Sequence, residues 1–187
     1  MGLFDTFRKK QKNERKKNIS LVVSDKLPNQ IYKTIEKFKI VYFEDGEIEF
    51  FNKSNIDEAQ KGFRYNPINN EIINDWIDDE YIIIGYDWSS GCGPDPIIVY
   101  NDKNYYPIYW LMTDGGDWNH PLKIADTFEE FVNAYKNIIK NKEKIENNSL
   151  NLKEYNELYN NIKKIINENN FDWWKNFLQN NIRNSKI

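Results

Sequence analysis

The chain has 187 residues, a formal net charge of −3, and 40% hydrophobic and 16% aromatic residues. This apolar content excludes a wholly disordered protein, which would combine low hydrophobicity with high charge. The single cysteine, Cys92, cannot form an internal disulfide, and no apolar run approaches the roughly 18 residues that span a bilayer. The length suits one domain with one core, and we expect a reducing, cytoplasmic location.

Residues 1–18 are predicted to form a basic N-terminal arm. The arm has seven basic residues and two acids, so it carries +5; since the whole chain carries −3, the rest carries −8. It lacks the apolar core of a secretion signal, and although Gly2 and Thr6 match the myristoylation pattern, we expect a solvated arm without membrane contact. The acidic remainder should repel nucleic acid and attract a basic protein partner.

Three local patterns predict the first elements of the folded domain. Pro28 suits the first turn of a helix that Asp25 could cap. The run "IVYFEDGEIEFF" holds two strand-like segments around Asp45 and Gly46, a pair that favours a tight hairpin turn. Ser54 is a candidate cap for a short helix that follows it.

The middle of the chain predicts three consecutive strands, in "DEYIIIGYDW", "DPIIVYN" and "YYPIYWLMT". Their connections are short, so the strands should form an antiparallel meander, because parallel neighbours need a crossover of about a dozen residues or more. Thr127 and Glu130 then form a capping-box pattern that opens a helix. Apolar residues at helical spacing follow: Phe128, Phe131, Tyr135 and Ile138.

From Lys140 onward, periodic apolar residues stand among Asn, Lys and Glu. The spacing predicts an amphipathic helix in "LKEYNELYNNIKKIINENN" and a shorter one in "FDWWKNFLQNNI". We therefore predict an α+β fold with a mainly antiparallel meander sheet and helices packed against it in a domain of residues 19–140. A C-terminal helical extension, residues 141–187, should pack on the same domain.

One alternative for the function is nucleophilic catalysis by the only cysteine and the only histidine. Cys92 lies in "SSGCGPDP" and His120 in "TDGGDWNHP", and the loops after the first and third meander strands emerge at the same end of the sheet. A thiol-dependent hydrolase needs the thiol and a base within hydrogen-bonding reach. The competing interpretation places both residues in surface turns, with no catalytic residue in the chain.

Acids that could ligate a metal stand near the glycines of the same region: Asp87, Asp95, Asp114 and Asp117. Their spacing does not follow the calcium-loop pattern, and zinc would require several Cys and His residues. The segment "GYDWSSGCG" also lacks the lysine and the spacing of a phosphate-binding loop. We expect neither a metal nor a cofactor, and we interpret the acids as turn formers.

Tryptophan follows an acid at three places: Asp75-Trp76, Asp87-Trp88 and Asp117-Trp118. Exposed indoles serve as anchors at protein interfaces, because a rigid apolar body carries a polar tip. Buried indoles belong to the core instead. The sequence leaves both interpretations open.

Four segments between Leu27 and Ile139 carry a family resemblance: "LPNQIYKTIEKF", "YIIIGYDWSSGCGPDPIIVY", "YYPIYWL" and "LKIADTFEEFVNAY". In this order they resemble the SUKH superfamily of yeast cell-wall synthesis regulators and their bacterial relatives. The resemblance implies an α+β fold with a mainly antiparallel sheet. It supplies no catalytic residues that could be carried over to this chain.

Bacterial members of that superfamily are similar to immunity proteins, which bind and neutralise polymorphic toxins, often nucleases. The resemblance therefore implies a non-catalytic protein whose partner is a toxin domain. An acidic surface would complement the basic groove of a nuclease, and aromatic anchors would slow dissociation. We assign partner binding to five residues at the loop end of the predicted sheet: Asp87, Trp88, Asp95, Asp117 and Trp118.

Overall fold

The computed structural model describes residues 22–38, 40–44, 46–73, 76, 78–89, 93–113 and 120–183. Within them, one antiparallel sheet holds its strands in chain order: β1 Val41–Tyr42, β2 Glu47–Phe50, β3 Tyr81–Asp87, β4 Asp95–Tyr100, β5 Ile108–Trp110 and β6 Leu122–Ala125. The α-helices of the same residues are α1 Asn29–Ile35, α2 Ile56–Ala59, α3 Phe128–Lys140, α4 Lys142–Glu146, α5 Leu152–Ile165 and α6 Phe171–Leu178. A short 3₁₀ helix, Glu168–Asn170, precedes α6, and a π-helical turn, Gln179–Arg183, follows it.

The α+β class, the antiparallel meander and the C-terminal helical part are confirmed. The predicted basic arm, residues 1–18, lies outside the described residues. None of the helices just given is both long enough and apolar enough to span a bilayer.

The predicted hairpin joins β1 to β2. Val41 pairs with Ile48 in antiparallel register, and the Phe43 amide donates to the Gly46 carbonyl oxygen at 2.7 Å. Gly46 is required by close approach, because a Cβ there would lie 2.4 Å from the Trp88 carbonyl oxygen. The turn of the hairpin therefore packs against the chain just beyond the end of β3.

Strand β3 lies in the middle of the sheet and is covered on both faces. Ile82, Ile83 and Ile84 are completely buried, which is typical of a strand with a continuous apolar run. The register with β4 shifts at Ile84. The Gln60 side chain, at the end of α2, donates to the Ile83 carbonyl oxygen at 2.9 Å and accepts from the Ile83 amide at 3.1 Å, so the backbone beside the irregularity is satisfied.

Helix α3 covers one side of the sheet, which we call the α3 face. The Thr127 hydroxyl accepts from the Glu130 amide at 3.0 Å, so the predicted cap is present. The Glu130 carboxylate accepts from the Asp126 amide at 2.7 Å, whereas the predicted capping box would have it accept from the Thr127 amide. On the buried side of the helix, the Tyr135 ring lies 5.0 Å from that of Phe50 in β2, centroid to centroid.

The C-terminal helices cover the two edges of the sheet. The Trp174 indole of α6 donates to the Ile124 carbonyl oxygen of β6 at 2.8 Å. At the other edge, the Tyr42 amide donates to the Glu146 carboxylate of α4 at 3.1 Å, and Lys142 donates to the Ile40 carbonyl oxygen at 2.7 Å. Such contacts occupy edge groups that would otherwise be open to another strand.

Two predicted helix caps are wrong. Pro28 occupies the position before α1 without a side-chain cap, and Asp25 instead forms an ion pair with Lys53 at 2.9 Å. Ser54 does not cap α2, because its amide donates to the Asn52 side chain at 2.8 Å in a local turn that competes with capping. The third meander strand is also shorter than its sequence segment, covering only Ile108–Trp110.

Candidate functional site

Asp87 and Asp95 lie opposite each other where β3 ends and β4 begins. Both point to the α3 face: Asp87 is 3% exposed, Asp95 is fully buried, and Asp87 pairs with the buried Ile48 of β2. The expectation that these two carboxylates face outward at the rim of the sheet is therefore corrected by their burial. The physical reason is strand alternation, which turns Asp87 inward and its neighbour Trp88 outward.

The two buried carboxylates fasten the adjacent loops to the sheet. Asp87 accepts from the Ser89 amide at 3.0 Å and from its hydroxyl at 2.6 Å. Asp95 accepts from the Thr113 amide and hydroxyl, both at 2.8 Å. Burial raises the pKa of Asp87, the Ser89 hydrogen bonds lower it, and the nearby charge of Asp95 raises it, with a net upward shift.

Other predicted site residues lie outside the described residues, namely Asp117, Trp118 and Cys92. His120 is exposed. The thiol-dependent alternative therefore stays a prediction, since its cysteine has no described position. Trp76 is 5% exposed and belongs to the core, which decides between the two interpretations of that indole.

No group of three or more His, Cys, Asp or Glu side chains in the described parts of the chain could hold a metal ion. Five side chains do form a surface on the side of the sheet opposite α3. We call it the acid–aromatic surface, and it consists of Tyr42 from β1, Glu47 and Glu49 from β2, and Tyr86 and Trp88 from the end of β3.

Strand register places these five side chains together. Tyr42 pairs with Glu47, and Glu49 pairs with Tyr86. The Trp88 amide donates to the Glu47 carbonyl oxygen at 2.8 Å, which continues the β2–β3 ladder by one residue. Directly opposed residues of antiparallel strands share a face, so acids and aromatic rings alternate across three strands. Tyr42 is 51% exposed and Trp88 37%.

The Trp88 ring is held in place from two directions. Its indole N–H donates to the Glu49 carboxylate at 3.1 Å, and the Tyr86 ring meets it nearly perpendicularly, at 86° and 6.0 Å between centroids. Tyr86 is fixed in turn, because its hydroxyl donates to the Ala59 carbonyl oxygen at 2.5 Å. Burial, and secondarily the charge of Glu49, raises the pKa of Tyr86, so that phenol stays neutral.

Glu47 and Glu49 were missed as site residues by the sequence reasoning. Their signal was the alternation Glu-Ile-Glu-Phe directly after the hairpin turn, which puts Ile48 and Phe50 on one face and both acids on the other. Neither acid forms an ion pair with a basic side chain among the described residues. The two charges are available to a partner.

No family model, curated protein or solved structure matches this chain.

Proposed function

We propose that this chain is a non-catalytic binding protein of the immunity type, which neutralises a polymorphic toxin by binding it through the acid–aromatic surface. The observation that carries the proposal is Trp88, a large aromatic side chain that is more than one-third exposed and oriented by Glu49. Aromatic anchors of this kind dominate the affinity of protein interfaces. The resemblance to the SUKH superfamily supports the same role.

The chemistry of the partner follows from charge. The chain outside its basic arm carries −8, and Glu47 and Glu49 lie on β2 beside Trp88 without cationic partners in the described residues. A basic protein surface, such as the nucleic-acid groove of a nuclease toxin, is complementary to this arrangement. Complementary charge raises the association rate, and an aromatic anchor that the partner buries lowers the dissociation rate.

The test is co-expression with a toxin encoded beside this gene, followed by binding measurements on the purified pair. Trp88→Ala should weaken binding by roughly 2 kcal/mol, or about thirtyfold, because it removes a central anchor. Tyr105→Ala is the matched control, since Tyr105 is an aromatic residue 66% exposed in the loop at the far end of β4. It should bind as the unaltered protein does.

Two further variants separate the charge from the thiol. Replacing Glu47 and Glu49 together by Gln should slow association and flatten its dependence on salt. Cys92→Ser should neutralise the toxin as well as the unaltered protein does. Loss of neutralisation in Cys92→Ser, with Trp88→Ala fully active, would favour the thiol-dependent hydrolase and refute the proposal.

A further inference from the structure

The acid–aromatic surface has a geometry that suits one kind of side chain. We propose that it selects arginine over lysine on the protein it binds, with a guanidinium stacked on Trp88 and paired with Glu47 or Glu49. This inference rests on the proposed function and names the residue type that the partner presents.

Trp88 is partly exposed, yet its indole N–H is engaged by Glu49 and its position is fixed by the Tyr86 ring. The hydrogen-bonding tip of the indole is therefore already used within the protein. Its remaining exposed part offers an aromatic surface, which attracts cations through the charge distribution of the ring.

The two carboxylates lie close to this ring. Glu49 pairs across the strands with Tyr86, next to Trp88, and Glu47 lies across from Trp88 itself. Among the described residues, one hydrogen bond reaches these two carboxylates, and it runs from the Trp88 indole to one oxygen of Glu49. Acceptor capacity is left over on both acids, within one or two strand positions of the exposed ring.

Arginine and lysine differ in how they would meet such a ring. Arginine has a planar, weakly hydrated guanidinium that can stack on an aromatic ring while its N–H groups reach a carboxylate. Lysine carries a compact, strongly hydrated ammonium that gains less from stacking. A ring fixed beside two acids should therefore bind arginine more tightly than lysine. Little conformational entropy is lost on binding, because the Trp88 ring is already held in place.

Lys142, which lies beside one ring of this surface, does not fill this role. Lys142 lies 5.3 Å from the centroid of the Tyr42 ring, but its amine pairs with Glu146 and donates to the Ile40 carbonyl oxygen. It is thus committed to the edge of the sheet. Its position over Tyr42 shows that this side of the sheet accommodates a cation beside an aromatic ring.

The experiment compares two synthetic peptides that are identical except that one carries arginines where the other carries lysines. Binding to the full chain is followed by NMR through the tryptophan indole N–H signals, with that of Trp88 assigned by its absence in Trp88→Phe. We expect the arginine peptide to shift the Trp88 signal and to bind at least about threefold more tightly. Trp88→Leu should abolish this preference, and so should Glu47→Gln combined with Glu49→Gln, whereas Tyr105→Ala should keep it.

Equal affinity for the two peptides, or shifts confined to other indole signals, would overturn the inference. If the chain neutralises a toxin in a Trp88-dependent way but does not discriminate between the peptides, arginine selection fails and the proposed function stands. If the preference is present but no toxin is bound, the proposed function fails and the arginine site stands.

Discussion

The two faces of β2 and β3 differ in what their polar groups do. On the α3 face, Asp87 is buried beside Asp95 and uses its carboxylate to hold the following loop. On the opposite face, the adjacent residue Trp88 is exposed beside Glu49. One step along a strand thus separates a residue that maintains the structure from one that is free to meet a partner.

Mutations on the two faces should therefore have different effects. Changes to the α3 face and to the helices that cover it should lower or raise the free energy of unfolding. Changes to the acid–aromatic surface should leave that free energy nearly unaltered and weaken binding instead. The predictions below test this division.

The largest effect is expected for Trp174→Ala. Trp174 is fully buried, packs 5.8 Å from Phe131 between ring centroids, and donates to the Ile124 carbonyl oxygen. Its truncation should cost about 3–5 kcal/mol of unfolding free energy, measured by urea denaturation, because it leaves a cavity and an unpaired carbonyl. Trp174→Phe, which keeps most of the packing, should cost clearly less; equal losses would show that packing is not the main contribution.

Trp88→Ala should show the opposite balance. Its unfolding free energy should fall by less than about 1 kcal/mol, while binding to the cognate toxin weakens by roughly 2 kcal/mol. Urea denaturation and calorimetric titration of the same preparation measure the two quantities. A large loss of stability with unchanged affinity would break the division between the faces.

Thr127→Ala tests the start of the helix that covers the α3 face. The Thr127 hydroxyl accepts from the Glu130 amide, so its removal should cost about 1 kcal/mol of unfolding free energy. Thr127→Ser keeps the acceptor and should recover most of the loss. If the alanine variant were as stable as the serine variant, the cap would contribute nothing here.

Much of the fold followed from the sequence, because hydrophobic periodicity and turn chemistry act locally. The hairpin at Gly46, the meander and the start of α3 at Thr127 all rest on such signals. The capping box formed by Asn151 and Glu154 at the start of α5 was readable in the same way, yet it was missed. Predicted caps were wrong where the side chain has another partner. Asp25, for example, forms an ion pair with Lys53.

The site was harder to predict, because it depends on which face a residue occupies. Asp87 and Trp88 are neighbours in sequence, and only the register that pairs Asp87 with Ile48 decides that the acid is buried. The same register brings Glu49 to Trp88 from a strand that lies far away in the sequence. Pairing between strands β2 and β3 is a tertiary property, and no local pattern specified it.

The smallest effect, and the one most specific to the α3 face, is expected for Asp87→Asn. Burial raises the pKa of Asp87, so the folded protein favours the protonated carboxyl. The stability contributed by the protonated Asp87 carboxyl is fully present below the ordinary pKa of about 4. It is lost as pH rises through the higher pKa of the folded state. Asparagine carries no charge at any pH and keeps an acceptor for Ser89, so the variant should be more stable than the parent at neutral pH.

The advantage of Asp87→Asn should shrink as pH falls toward 4, when the parent carboxyl becomes neutral as well. Asp102→Asn supplies a control of opposite sign. Partial burial raises the pKa of Asp102, but hydrogen bonds from three backbone N–H groups lower it by more, so the net shift is downward. The Asp102→Asn variant should be less stable than the parent at neutral pH. This deficit should shrink in acid, where the parent carboxylate is protonated and its contribution is lost. Urea denaturation across this pH range measures both, and parallel curves for the two variants would show that burial and hydrogen bonding do not determine how these two acids contribute to stability.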